Sequence, residues 1–201
     1  MKSRFLVLGL SFLVVAGMLL ASCAKSTPTS TPTPMPSTTE AVPVVLTVAN
    51  GSKIETYSLT DLQDGNVVNG SVINGYGGQK GMDGTITGPY PYQGVALTDL
   101  LNAVGGITEG QSVKITASSG YSETLSYDQI INGNFNIYDT SGNSITTGTK
   151  PIFAVVFMVN GNLLDNTTGP IELGILSNLN FITDESMWVK MVNKIEIITA
   201  Q

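Results

Sequence analysis

Short apolar stretches rich in Val, Ile, Thr and Tyr, separated by Gly and Asn, run from Val44 to Gln201. Branched and aromatic residues suit a pleated, half-buried surface, and Gly and Asn suit tight connections, so the pattern predicts a chain dominated by β-strands. Val44 to Ala49 and Lys53 to Tyr57 flank Asn50-Gly51-Ser52, the arrangement of a hairpin. Further strands are expected at Val67 to Ile73, Gly84 to Thr87 and Ser112 to Ala117. Ile152 to Val159 is unbroken apolar sequence and reads as a central strand buried on both faces, with a turn at Asn160-Gly161-Asn162. Ile171 to Leu176 and Val189 to Ile198 complete the set. In the last of these Lys194, Glu196 and Thr199 interrupt the apolar positions, so one face meets water.

Three short helices are expected at the connections. Ser58-Leu59-Thr60-Asp61 offers a serine cap with a carboxylate three residues on. Thr98 precedes Asp99 to Val104, and Gly105-Gly106 suits the left-handed end of a helix. Ser126 to Ile131 repeats the capping pattern and ends near Asn132-Gly133. Strands linked by short helices give an α+β class with a mainly antiparallel sheet system, in one domain spanning residues 44–201.

The first 43 residues follow other rules. Lys2 and Arg4 precede an apolar run from Phe5 to Leu20, the layout of an export signal over residues 1–22. That run is about 16 residues, shorter than the ~20 a helix needs to cross a bilayer. Leu20-Ala21-Ser22-Cys23 resembles the lipobox of exported lipoproteins, in which the cysteine is acylated and becomes the new N-terminus. Cys23 is the only cysteine in the chain. Acylation there implies an extracytoplasmic protein whose first partner is the membrane itself, held by several acyl chains. Residues 23–43 are dominated by Thr, Ser and Pro, a composition that cannot bury a core and reads as a stalk. Asn50, Asn69 and Asn166 sit in glycosylation sequons, of consequence only in a host with that machinery.

Cutting before Cys23 removes Lys2 and Arg4, so the formal charge of −6 becomes −8. An acidic surface repels phosphate backbones, which argues against nucleic acid as a partner. The chain has no histidine, and with Arg4 gone it has no arginine. Histidine bases, Ser-His-Asp triads and the usual zinc sites are thereby excluded.

Tyr92-Gln93-Gly94-Val95-Ala96-Leu97-Thr98-Asp99-Leu100-Leu101, followed by Val104-Gly105-Gly106, resembles the sulfite oxidase-type molybdopterin-binding oxidoreductase domain. In that family an aromatic-x-Gly-Val-x-Leu stretch leads into a short Leu-Leu helix. Further pieces follow in family order: the strand and Gly-Tyr turn from Val113 to Ser122, the buried strand Ile152 to Val159, Gly169-Pro170-Ile171-Glu172-Leu173, and Trp188-Val189-Lys190 through Ile197. Ser58 to Leu62 resembles the early Ser-Leu-x-x-Leu helix. The likeness spans nearly the whole domain and implies a sulfite oxidase-like fold. On the residues alone, Gly94, Gly105 and Gly106 read as tight-turn glycines, and Leu97, Leu100, Leu101 and Val104 as the packed face of a helix.

The sequence departs from that family where its chemistry resides. Active members bind molybdenum through a cysteine thiolate ahead of the Gly-Val-x-Leu stretch, and here Asn69 to Gly78 contains none; the equivalent position falls near Ile73 to Gly75. The arginine of the Gly-Pro-x-Arg-Leu strand is Glu172 and the aromatic after Val-Lys is Met191. Without Arg or His, an anionic pterin phosphate is poorly held, so no cofactor is expected and molybdopterin is kept only as an alternative. Gly75 to Gly81 lacks the spacing of a phosphate loop and reads as a flexible rim of the former cofactor cleft. Gly88-Pro89-Tyr90-Pro91-Tyr92 reads as a stiff turn beside it. The candidate cleft-lining residues are Asn74, Tyr76, Tyr92, Tyr121 and Lys190; packing alone accounts equally for a turn tyrosine, and solvation for an exposed lysine. Asp83, Glu172, Asp184 and Glu185 read as a solvated acidic surface rather than a cation site.

Three functions compete on this reading. The first is a ligand-binding or partner-docking module, its partner a small molecule or a membrane-associated protein. The second is a molybdopterin-dependent oxidoreductase, and the third a solute-binding lipoprotein.

Overall fold

The computed structural model describes residues 42–67, 70–165 and 167–199. The export signal, Cys23, all but the last two stalk residues, and the sequons at Asn69 and Asn166 lie outside the described residues. The elements run β1 Val44–Asn50, β2 Lys53–Ser58, α1 Leu59–Gln63, β3 Val72–Lys80, β4 Ile86–Ala96, α2 Leu97–Ala103, β5 Gln111–Ala117 and β6 Ser122–Ser126. A π-helical turn at Asp128–Asn132 leads to β7 Ile137–Tyr138, β8 Ser144–Ile145, β9 Ile152–Val159, β10 Asn162–Leu163, β11 Glu172–Leu176 and β12 Ile182–Asp184. A 3-10 turn at Glu185–Met187 precedes β13 Val192–Thr199.

The strands form two sheets. One has five strands in the order β2-β1-β13-β5-β6. The other has eight, in the order β10-β9-β4-β3-β12-β7-β8, with β11 also on β9. Pairing is antiparallel except between β1 and β13 and between β3 and β12, so each sheet is mixed rather than purely antiparallel. Leu46, Val113, Ile115 and Ile195 from the smaller sheet share a hydrophobic core with Val95, Val155, Phe157 and Leu173 from the larger. Leu62 of α1 and Leu97, Leu100 and Leu101 of α2 join that core, the apolar helix face expected from the sequence.

The local signals that held are those with a geometric cause. The first hairpin closes with Asn50 opposite Lys53 and Gly51 at φ +60. Ser58 and Asp61 form a reciprocal capping box on α1, each side chain bonding the other's backbone N–H. Ser126 and Gln129 make the same exchange before the π-helical turn, which Gly133 ends at φ +64. Gly105 and Gly106 take positive φ behind α2. Ile152–Val159 is a central strand, with β4 on one edge and β10 and β11 on the other; Asn160 and Gly161 then turn with φ +52 and +75.

Other expectations are corrected. Thr98 lies inside α2, which starts at Leu97 with Ala96 at its cap. Gly75 to Lys80 is part of β3 rather than a flexible rim, and Gly88 to Tyr92 lies within β4 rather than a turn. The glycines misled because their role is contact. A side chain at Gly77 would come within 2.7 Å of the Trp188 ring, and one at Gly78 would strike Ile182. Gly94 is no turn glycine either: it sits in β4, where a Cβ would run into the Val155 carbonyl of β9. Lys190 lies in the turn ahead of β13, beside Met191 at φ +54, and not on a strand.

Candidate functional site

Pleating decides which side chains of the larger sheet share a face, because directly paired residues point the same way. Asn74 pairs with Gln93, Gln93 with Met158, and Tyr76 with Pro91. These residues line one cleft of about 320 Å³, together with Asn178. The alternate positions face the other way: Gly77 pairs with Tyr90, and Gly75 with Tyr92, which pairs in turn with Val159. On that side lies a second cleft of about 480 Å³, walled by Tyr90, Tyr92, Asn160, Asp165, Glu172 and Lys190. Either volume suits a small organic molecule.

Of the residues singled out in the sequence, Asn74 and Tyr76 therefore share the first cleft and Lys190 lines the second. Tyr92 borders both. Tyr121 is not brought to either. It sits on the turn between β5 and β6 of the smaller sheet, 52% exposed, with its hydroxyl donating to Glu123 at 3.2 Å.

Glu172 departs from the solvated acidic surface expected of it: it is only 3% exposed. It begins β11, where it pairs with Val156, itself opposite Gly94 of β4. The signal for it was a single acid in the otherwise apolar run Ile171-Glu172-Leu173-Gly174-Ile175-Leu176. Burial pushes its carboxyl up to about 7, against the opposing pull of Lys190. Tyr92 feels the same surroundings: burial first, then the Glu172 charge, holds its hydroxyl far above the ordinary phenol value. Lys190 and Glu172 do not close an ion pair; among the described residues the pair within 4 Å is Lys194–Glu196. No hydrogen bond contributes to the Glu172 shift, and its oxygens are not fully enclosed, as the Tyr57 hydroxyl is, so the carboxylate keeps contact with the cleft.

Three other carboxylates near the clefts or in the acidic group expected from the sequence accept hydrogen bonds. Asp165, in the same cleft, accepts from the backbone and hydroxyl of Thr167 at 2.8 and 2.6 Å and from Thr168 at 3.1 and 3.2 Å. Those bonds hold its carboxyl below the usual range. Asp83 accepts from Thr85, and Asp184 accepts from the Tyr138 hydroxyl at 2.9 Å and from Asn136. Lys80 stands over the Tyr138 ring at 4.1 Å and donates to the Gly142 carbonyl, so the acids near it belong to a structural network. No three His, Cys, Asp or Glu side chains converge to hold a metal among the described residues.

Trp188 packs against β3 and β11, two residues along from Glu172. Its ring rests where Gly77 and Gly174 have no side chains, since a Cβ at either would lie within 2.7 Å of it. The Trp188 indole N–H donates to Thr183 Oγ1 at 3.0 Å, and the ring meets Tyr92 at a centroid distance of 5.5 Å. Tyr92 thereby carries the Trp188 contact to the border of both clefts. The arrangement can recognise a polar molecule by one buried carboxylate, neutral hydroxyls and amides, and an ammonium at the rim. Neither a protein-family model nor a curated protein matches the chain.

Proposed function

We propose that this chain is a lipid-anchored, extracytoplasmic binding or partner-docking module, built on a sulfite oxidase-like scaffold that has lost its molybdenum site. The observation that carries the reading is Glu172: a buried carboxylate opening on a cleft at the position where the resemblance expects arginine. The residues there do not fit a molybdenum pterin. The first cleft, which holds Asn74 and Gly75 where the resemblance expects the metal's cysteine, offers no thiolate, and in the second cleft an anionic phosphate would meet Glu172 and Asp165 beside a single ammonium. Support for the anchor is the lipobox-like Leu20-Ala21-Ser22-Cys23 and the stalk composition behind it. Delivery of a small solute to a transporter is a second form of the same reading, favoured by the cleft's volume.

Elemental analysis of the full chain isolated from membranes tests the first part, alongside a reductase assay on sulfoxides and small oxyanions. The expected outcome is no stoichiometric molybdenum and no turnover; a tightly held pterin with one metal per chain would overturn the reading. For the anchor, Cys23→Ser is expected to move the protein from the membrane fraction to the soluble exported fraction. Retention of that variant on the membrane would refute lipidation as the attachment.

A further inference from the structure

The second cleft carries two opposite charges that do not satisfy each other. Glu172 is buried at its base, and Lys190 is exposed on the turn at its edge; they line one space without closing an ion pair. Asp165 adds a second carboxylate on the wall, its Oδ1 taken by Thr167 and Thr168 and its charge kept by those bonds, and Gln79, Thr87, Asn160 and Asn162 offer uncharged donors and acceptors. Tyr90 and Tyr92 supply aromatic surface that favours a cation's approach. A purely anionic ligand would meet the buried carboxylate, and a purely cationic one the lysine. A molecule bearing both charges complements both ends.

The geometry points to this cleft as the binding site for a small zwitterion with an amine and a carboxylate, the ammonium seated on Glu172 and the carboxylate held at Lys190. This rests on the reading that the domain is a binding module without a molybdenum site, and it names the ligand's chemical class. The ammonium supplies what Glu172 lacks, charge-assisted donors to a desolvated carboxylate. Neutral side chains along the walls set the length of molecule that spans the two ends.

The test uses the full chain in detergent and a ladder of ω-amino acids: glycine, β-alanine, γ-aminobutyrate and ε-aminocaproate. n-Butylamine and butyrate serve as single-charge controls. Titration calorimetry at pH 8 is expected to show at least one rung binding about tenfold or more tighter than either control, each lost charge contact being a sizeable fraction of the affinity. Glu172→Gln should weaken that rung by a similar factor. Lys190→Met, at an exposed turn where folding is not at stake, should bring the amino acid down to the level of n-butylamine. Ammonium binding requires ionised Glu172, which feels Lys190 and shares the cleft with the titratable Tyr90, Tyr92 and Asp165. With its carboxyl near 7, only about one in ten chains is ready at pH 6, so affinity there should be roughly tenfold below the pH 8 value. Equal binding of amino acid and n-butylamine, or indifference to Lys190→Met, would overturn the zwitterion. Silence across the ladder would overturn it too. Neither result bears on molybdenum content, which decides the binding-module reading separately.

Discussion

The two sheets treat charge in opposite ways. In the five-stranded sheet, β13 alternates buried Val192, Ile195 and Ile197 with outward residues, and Lys194 meets Glu196 at 2.7 Å in partial contact with water. In the eight-stranded sheet every residue of β11 is buried, including Glu172, and glycines at 77 and 174 replace side chains so that Trp188 can lie against the strands. The first sheet is assembled as alternation prescribes. The second gives up regular packing to hold a carboxylate and an indole beside a cleft, and departures of that kind concentrate at functional sites.

Three substitutions would break or sharpen this contrast. Trp188→Ala removes a nearly buried ring and the partner of Thr183 and Tyr92, so it is expected to destabilise the domain by roughly 3–5 kcal/mol in denaturant unfolding. A loss under about 1 kcal/mol would mean that the indole does not support the sheet. Glu172→Gln comes next. A carboxyl raised from 4.5 to about 7 in the fold binds its proton more tightly there than in the unfolded chain. Wild-type stability from this group is therefore fully present below 4.5, falls as pH rises toward 7, and stays low above it. The glutamine variant lacks that fall, so at pH 8 it should be more stable by about 1–3 kcal/mol, and near pH 4.5 the advantage should vanish. Thermal unfolding at the two pH values reads this directly, and an equal difference at both would contradict the buried acid. The smallest effect belongs to the other sheet: Lys194→Met breaks a half-exposed ion pair and is expected to change stability by about 0–1 kcal/mol, less in high salt.

Much of the five-stranded sheet was legible in the sequence, because its signals are local. Gly51-Ser52 closes a hairpin, Ser58 caps α1 with Asp61, and Lys194 and Glu196 mark an outward face. The eight-stranded sheet was less so. Gly75, Gly77, Gly78 and Gly88 looked like loop residues, yet they lie in long strands whose close contacts, with Trp188, Ile182 and neighbouring backbone, come from distant sequence. Candidate site residues divided for a related reason. Asn74 and Tyr76 fall on one face by the register of β3 against β4, and Lys190 reaches the other cleft from a turn, placements that sequence order does not reveal. Glu172 was hidden by its own charge: an acid is ordinarily read as solvated, and only the pairing of β11 with β9 places it inside.

The parallel ladder between β1 and β13, with Thr47 opposite Lys194 and Asn50 opposite Ile197, also has a mechanical meaning. Tension applied between the start of β1 and the finish of β13 pulls these neighbours past one another along their length. The cross-links of the ladder then bear load together instead of opening one at a time like a zip. A tether drawn from the residue 42 side would thus meet its stiffest resistance along the β1–β13 ladder of the five-stranded sheet.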